Sequence, residues 1–190
     1  MWSYVLEPAL VALHVLDEFA AHEIAYRSMV QADVDLSPPV PRFWTDTRNA
    51  HAMAAVNLWN MVFGTSGENN PTHWHNWITG DLDEARQNFI VHLEDEANMT
   101  APEWHELGQR MRDFRNNYTA HREIENAHAM PYLNRALAAA QSFDTWMHGW
   151  IPEMVERSLL RDEVAGLRPT IDQSVAETLA WVDEQARREQ

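Results

Sequence analysis

The chain has no cysteine and no lysine. Without thiols it can form no disulfide, carry no thiolate nucleophile and build no iron–sulfur or cysteine-based zinc centre. Their absence is compatible with a reducing compartment. No basic residue precedes Arg27, so the charged start of a secretory signal is missing. Long apolar runs are missing too. The longest, around Ala9 to Leu16, falls far short of the roughly 18 residues that a membrane span requires. These absences lead us to expect a soluble cytoplasmic protein with no membrane contact. Positive charge is scarce: 29 acids stand against 14 bases, all of them Arg, for a net charge of −15. An acidic surface repels phosphate polyanions and anionic lipid at long range, so any nucleic-acid function must rest on a local basic site.

What is present points to a folded core. Apolar residues make up 45% of the chain and nine residues are Trp, a composition unlike that of disordered chains. The apolar residues recur at helical spacing, and no tract alternates with period two. The first helix is expected over about Tyr4 to Ala32, with Leu6, Leu10, Leu13, Leu16, Ala20 and Ile24 inward. The stiff segment Leu36-Ser-Pro-Pro-Val-Pro41 ends it. A second helix, Arg42 to Phe63, should bury Ala54, Leu58 and Met61, and a third should span Leu82 to Ala97. The fourth opens on Thr100-Ala-Pro-Glu103, a capping box with proline in the first turn. It carries Trp104, Leu107, Met111, Phe114 and Tyr118 on one face. A fifth starts near Pro131, with Leu133, Leu137, Ala140, Phe143, Met147, Trp150 and Met154 inward. A tail helix is expected after a second capping box, Thr170-Ile-Asp-Gln173. The expected fold is all-α: a bundle over residues 1–151 and a helical extension, 152–190, of the same domain.

The basic residues concentrate where the fourth helix ends, in Arg110, Arg112, Arg115 and Arg122. Arg115 and His121 are six positions apart along Phe114-Arg-Asn-Asn-Tyr-Thr-Ala-His-Arg-Glu123, roughly 120° apart on a continuous α-helix. Asn116, Asn117 and Thr119 form helix poorly, so a break there would bring the two side chains together. Gly108, on the same flank as Arg112 and Arg115, would let a second helix approach closely. Taken alone, Arg115 and His121 are also consistent with a helix-terminal pair that caps carbonyls and bridges to acids.

The run Arg115-Asn116 followed by His121, after an amphipathic helix in a helical bundle, resembles the signature of the HEPN superfamily. Phe63-Gly-Thr, Pro71-Thr-His-Trp74 and the Ala-His-Arg-Glu that ends at Glu123 resemble its phage abortive-infection branch, over about residues 2 to 150. The resemblance implies a cofactor-free, metal-independent endoribonuclease, of toxin or anti-phage growth-arrest type. Two copies of the motif would face each other in a homodimer, and an antitoxin or other regulator would act as partner. Arg115 would bind the scissile phosphate and stabilise its transition-state charge. His121 would exchange protons with the ribose 2′-hydroxyl or the leaving oxygen. Asn116 would orient substrate or His121, with Arg112, Arg122 and Tyr118 binding the RNA. Members modified by a nucleotidyltransferase antitoxin carry Tyr two residues after the His, where this chain has Glu123.

Two other function classes stay open. One is a non-catalytic HEPN-type scaffold. The other is a metal-dependent helical enzyme using the ten His residues, among which His73 and His75 lie two apart and Glu125-Asn-Ala-His128 has a ligand-like spacing. A carboxylate-bridged di-metal site needs that motif twice, and it occurs once. Trp74 and Trp77 are expected to hold their loop against the bundle, with base stacking as the alternative.

Overall fold

The computed structural model describes residues 3–32, 41–76, 78, 80–120, 130–151 and 157–188. Among them every regular element is helical: α1 (Ser3–Gln31), α2 (Pro41–Phe63), a 3-10 turn (Trp74–Asn76), α3 (Leu82–Ala97), α4 (Ala101–Phe114), a π-helical turn (Arg115–Ala120), α5 (Leu133–Trp150) and α6 (Leu160–Arg188). The class is all-α, as expected. Among the described residues no helix is long and apolar enough to cross a membrane.

Helix ends follow local chemistry where that chemistry is strong. Asp81 precedes α3, and its Oδ1 accepts from the backbone N–H groups of Asp83 at 2.9 Å and Glu84 at 3.2 Å. That satisfies donors the first turn would otherwise leave open. Asn98 ends α3 in the left-handed region at φ 45°, a conformation that Asn tolerates better than most residues. At the start of α4, Glu103 Oε2 accepts from the Thr100 backbone N–H and hydroxyl, both at 2.8 Å. Thr100→Ala is expected to lower Tm by about 2–4 °C in a thermal melt followed by circular dichroism. An unchanged Tm would show that the cap is dispensable.

The core is a seam between α1 and α2 joined to an aromatic cluster. Leu13, Leu16, Phe19 and Ile24 of α1 are buried with Val56, Trp59 and Val62 of α2. Two inward assignments are overturned, since Leu10 is 43% and Met61 41% exposed. Ala9, Ala12, Ala52 and Ala55 occupy the buried positions instead, because small side chains let two helices approach closely. Phe89 centres the aromatic cluster, with ring centroids 5.3 Å from Phe143, 5.4 Å from Trp146, 5.5 Å from Trp74 and 5.6 Å from Trp104. These mostly edge-to-face and tilted pairs add about 0.5–1.5 kcal/mol each to the burial they share. Trp74 is therefore a core residue, as expected; Trp77 lies outside the described residues.

The tail helix starts ten residues before Thr170. Its first turn is held from α5, where Asp144 Oδ2 accepts from the Leu160 N–H at 2.7 Å. Thr170 lies inside the helix, just after Pro169, and its carbonyl accepts from Ser174. The second capping box is thus a coincidence of residue types. Arg157 bridges Asp144 and Asp17, each at 2.5 Å, joining the approach to α6 to both α5 and α1. Further along, Ser28 of α1 donates to Asp172, and Arg168 reaches Glu23 at 4.0 Å.

Candidate functional site

α4 stays α-helical through Phe114 and then widens into a π turn. The sequence there, Arg-Asn-Asn-Tyr-Thr-Ala, holds three residues that favour other backbone states, so little intrinsic preference defends the tighter helix. Single π turns of this kind often mark functional positions. Arg115 stands at the turn's first position, and its Nε and Nη2 donate to Asn116 Oδ1 at 3.1 and 3.0 Å. Asn116 thereby fixes one edge of the guanidinium. Arg115 also borders a polar cleft of about 520 Å³, lined by Asn57, Asn60 and the loop from Thr65 to Asn70.

The loop that forms one wall of this cleft is stitched in place. Gly64 begins it by donating its N–H to Asn60 O at 3.0 Å. A Cβ at Gly64 would stand 2.4 Å from that same carbonyl oxygen, so the turn admits only glycine without a backbone shift. Beyond it, Asn70 donates to Thr65 O at 3.2 Å, Thr72 to Met61 O at 2.9 Å and Asn76 to Asn70 O at 2.7 Å. Behind the loop, buried Asn60 donates to Val56 O at 2.8 Å and Met111 O at 3.1 Å, tying α2 to α4.

The expected site residues divide into three groups. Arg115 and Asn116 come together as described. Arg112, one turn earlier, borders a separate cavity that shares no lining residue with the cleft beside Arg115. Tyr118 belongs to the π turn by its backbone, but its side chain, like all of His121, Arg122, Glu125 and His128, lies outside the described residues. A Cβ added to Gly108 would meet Arg112 Nη1 at 3.1 Å and the Trp59 ring of α2 at 3.9 Å. The missing side chain makes room for the guanidinium of its own helix.

No family model, curated protein or solved structure matches this chain.

The separate cavity, about 310 Å³, brings together residues from three elements that sequence spacing does not connect: His73 and His75, Arg86 of α3, and His105, Gly108 and Arg112 of α4. His73 is 2% exposed. Its Nδ1 accepts from the His75 N–H at 3.2 Å, which leaves the Nε2 proton for the Gly64 carbonyl. The Arg86 guanidinium lies along the His75 ring, with Nε 3.2 Å from Nε2 and Nη2 3.1 Å from Nδ1. A guanidinium only donates and a neutral imidazole accepts at one nitrogen, so one of these contacts is a hydrogen bond and the other is packing. Among the described residues no three metal-ligating side chains converge, and a fixed cation beside His75 opposes a second one. Arg86 and His105 were missed in the sequence. The signal was His-x-His followed eleven residues later by Arg, which means nothing until the loop folds onto α3.

These histidines make stability depend on pH. Burial pushes His73 down to about 4, with the Gly64 bond opposing and Arg86 adding to the fall. Burial also pushes His75 down to about 4, helped by His73 and Arg86. A lowered folded pKa means that the unfolded chain binds the proton more readily, so stability is full above about 6.5 and drains away as pH falls toward 4. Buried Glu23 works in the opposite direction, since burial raises its pKa against the pull of Arg27 and Arg168. Comparison with a variant therefore isolates the histidine contribution. Between pH 7 and pH 5 the parent should lose on the order of 1–2 kcal/mol more than His73→Gln, measured by urea unfolding. Parallel pH profiles would exclude a neutral buried His73.

Proposed function

We propose that this protein is a metal-independent endoribonuclease of the HEPN type, acting as a toxin or anti-phage growth-arrest factor on RNA. The observation that supports this reading is the Arg115–Asn116 pair, held at the lip of a polar cleft by a π turn that leads directly toward His121. An arginine fixed by one edge offers donors that match phosphate geometry, in a place where the otherwise acidic chain gathers its positive charge. His121 supplies the proton transfer, with Arg122 and Tyr118 contacting the RNA. The 2′-hydroxyl attacks the neighbouring phosphate, and the products carry 2′,3′-cyclic phosphate ends. No metal or cofactor takes part. Two copies of the chain form the complete site.

Cleavage of labelled RNA by the purified protein, with and without chelator, tests the reading. Cutting should persist in chelator, and light scattering should show a dimer at micromolar concentration. Cutting that stops in chelator and returns with zinc or manganese would point to the metalloenzyme. A monomer that cuts RNA would contradict the shared site.

A further inference from the structure

We infer that the cavity between the Gly64–His73 loop, α3 and α4 is a binding site for a phosphate group, either free or carried by a nucleotide. The inference does not depend on the ribonuclease reading, because the cavity and the cleft beside Arg115 share no lining residue.

Four observations lead to it. First, α4 presents His105, Gly108 and Arg112 at spacings of three and four, so all three lie on one face of the helix, and all three line the cavity. Second, the glycine in the middle of that face is what gives the Arg112 guanidinium its position, with Nη1 only 3.1 Å from where a Cβ would be. No acidic side chain among the described residues pairs with Arg112. Third, a second arginine enters from the opposite wall. Arg86 is held against the His75 ring and by Asp83 at 2.9 Å, so its guanidinium is oriented before any ligand arrives. Fourth, the His75 ring beside it is neutral at pH 7 and keeps one N–H beyond the nitrogen that accepts from Arg86, while His73, with both ring nitrogens already bonded, backs the wall.

The Arg112 fork, the Asp83-paired Arg86 and the His75 ring around a cavity of about 310 Å³ match a single phosphate group. In a chain of net charge −15 such a convergence is conspicuous. The volume is at the small end of the range for small-molecule pockets, suited to a single phosphate or mononucleotide rather than a longer strand. Trp104, half-buried at the cavity wall, offers a face to a base if the phosphate belongs to a nucleotide.

Isothermal titration calorimetry on the full chain tests this, using inorganic phosphate, adenosine 5′-monophosphate and adenosine as probes. Phosphate or the monophosphate should bind, and adenosine should not. Equal affinities would identify free phosphate as the source, whereas tighter binding of the monophosphate would identify the nucleotide. Arg112→Gln and Arg86→Gln should each weaken binding at least tenfold. Gly108→Ala provides a variant that folds, since the crowded neighbour is the flexible end of Arg112 and alanine favours helix. It should weaken binding several-fold while Tm holds or rises. If neither phosphate compound binds, if adenosine binds as well as the monophosphate, or if Arg115→Gln abolishes binding that Arg112→Gln leaves intact, the inference fails.

Discussion

Arg115→Ala is expected to reduce RNA cleavage by about 10²–10³-fold while the helical circular dichroism stays as in the parent. The side chain is half-buried at the lip of a cleft and donates to the neighbouring Asn116 Oδ1. Its removal should cost the fold no more than about 1 kcal/mol. His121→Ala should lower the rate by a comparable 10²–10⁴-fold through loss of proton transfer. The double variant should be little worse than either single one, because groups that stabilise one transition state act as a unit. Asn116→Ala should show a smaller loss that the conservative Asn116→Asp does not reproduce in kind, since a carboxylate would pair with Arg115 and compete with phosphate. Folded Arg115→Ala and His121→Ala proteins that cut as fast as the parent would remove the nuclease assignment and leave a binding scaffold as the better account.

The largest loss of stability is expected from Asp144→Ala. This carboxylate is fully buried and accepts from Arg157 and from the Leu160 N–H, so one side chain both neutralises a cation and caps α6. Nearby, His148 sits between two carbonyl oxygens, of Asp144 at 2.9 Å and Arg157 at 3.1 Å. Removing one partner of a buried pair leaves the other charge poorly solvated, which costs roughly 3–5 kcal/mol. Here Asp17 still neutralises Arg157, so the lower half of that range applies, with a fall in Tm of about 10 °C. Arg157→Ala strips the cation and leaves Asp144 buried among polar donors. A double-mutant cycle should give a coupling of at least about 1 kcal/mol between the two. A coupling near zero would show that α6 is held by its apolar face alone.

Helix ends with a strong chemical signature were legible in the sequence. The capping box marks the start of α4, because there a side chain meets backbone donors only a few positions away, and the span expected for α3, about Leu82 to Ala97, is the one observed. Helix faces were less legible. Large residues such as Leu10 and Met61 drew the reading of α1 and α2, whereas the buried seam runs through Ala9, Ala12, Ala52 and Ala55. α1 meets α2, α5 and α6, so apolar residues surround much of it and no single stripe stands out. The start of α6 was misplaced for a different reason. Its first turn is capped by Asp144, sixteen residues upstream, a contact that no local pattern encodes. At the candidate site, the weak helix formers after Phe114 foretold a change of backbone, and a π turn is what they produce. The cavity beside it was illegible because its arginines and histidines converge only through the path of the Gly64–His73 loop.

The ties between α1 and α6 have a consequence for how the chain reaches its native state. Asp17 meets a residue 140 positions later in the sequence, and Ser28 meets one 144 positions later. The part of α1 that α6 covers stays exposed until α6 docks. Closing so large a loop is entropically costly, so the docking of α6 is expected to come late in folding, after the transition state. Variants that weaken this joint should mainly accelerate unfolding.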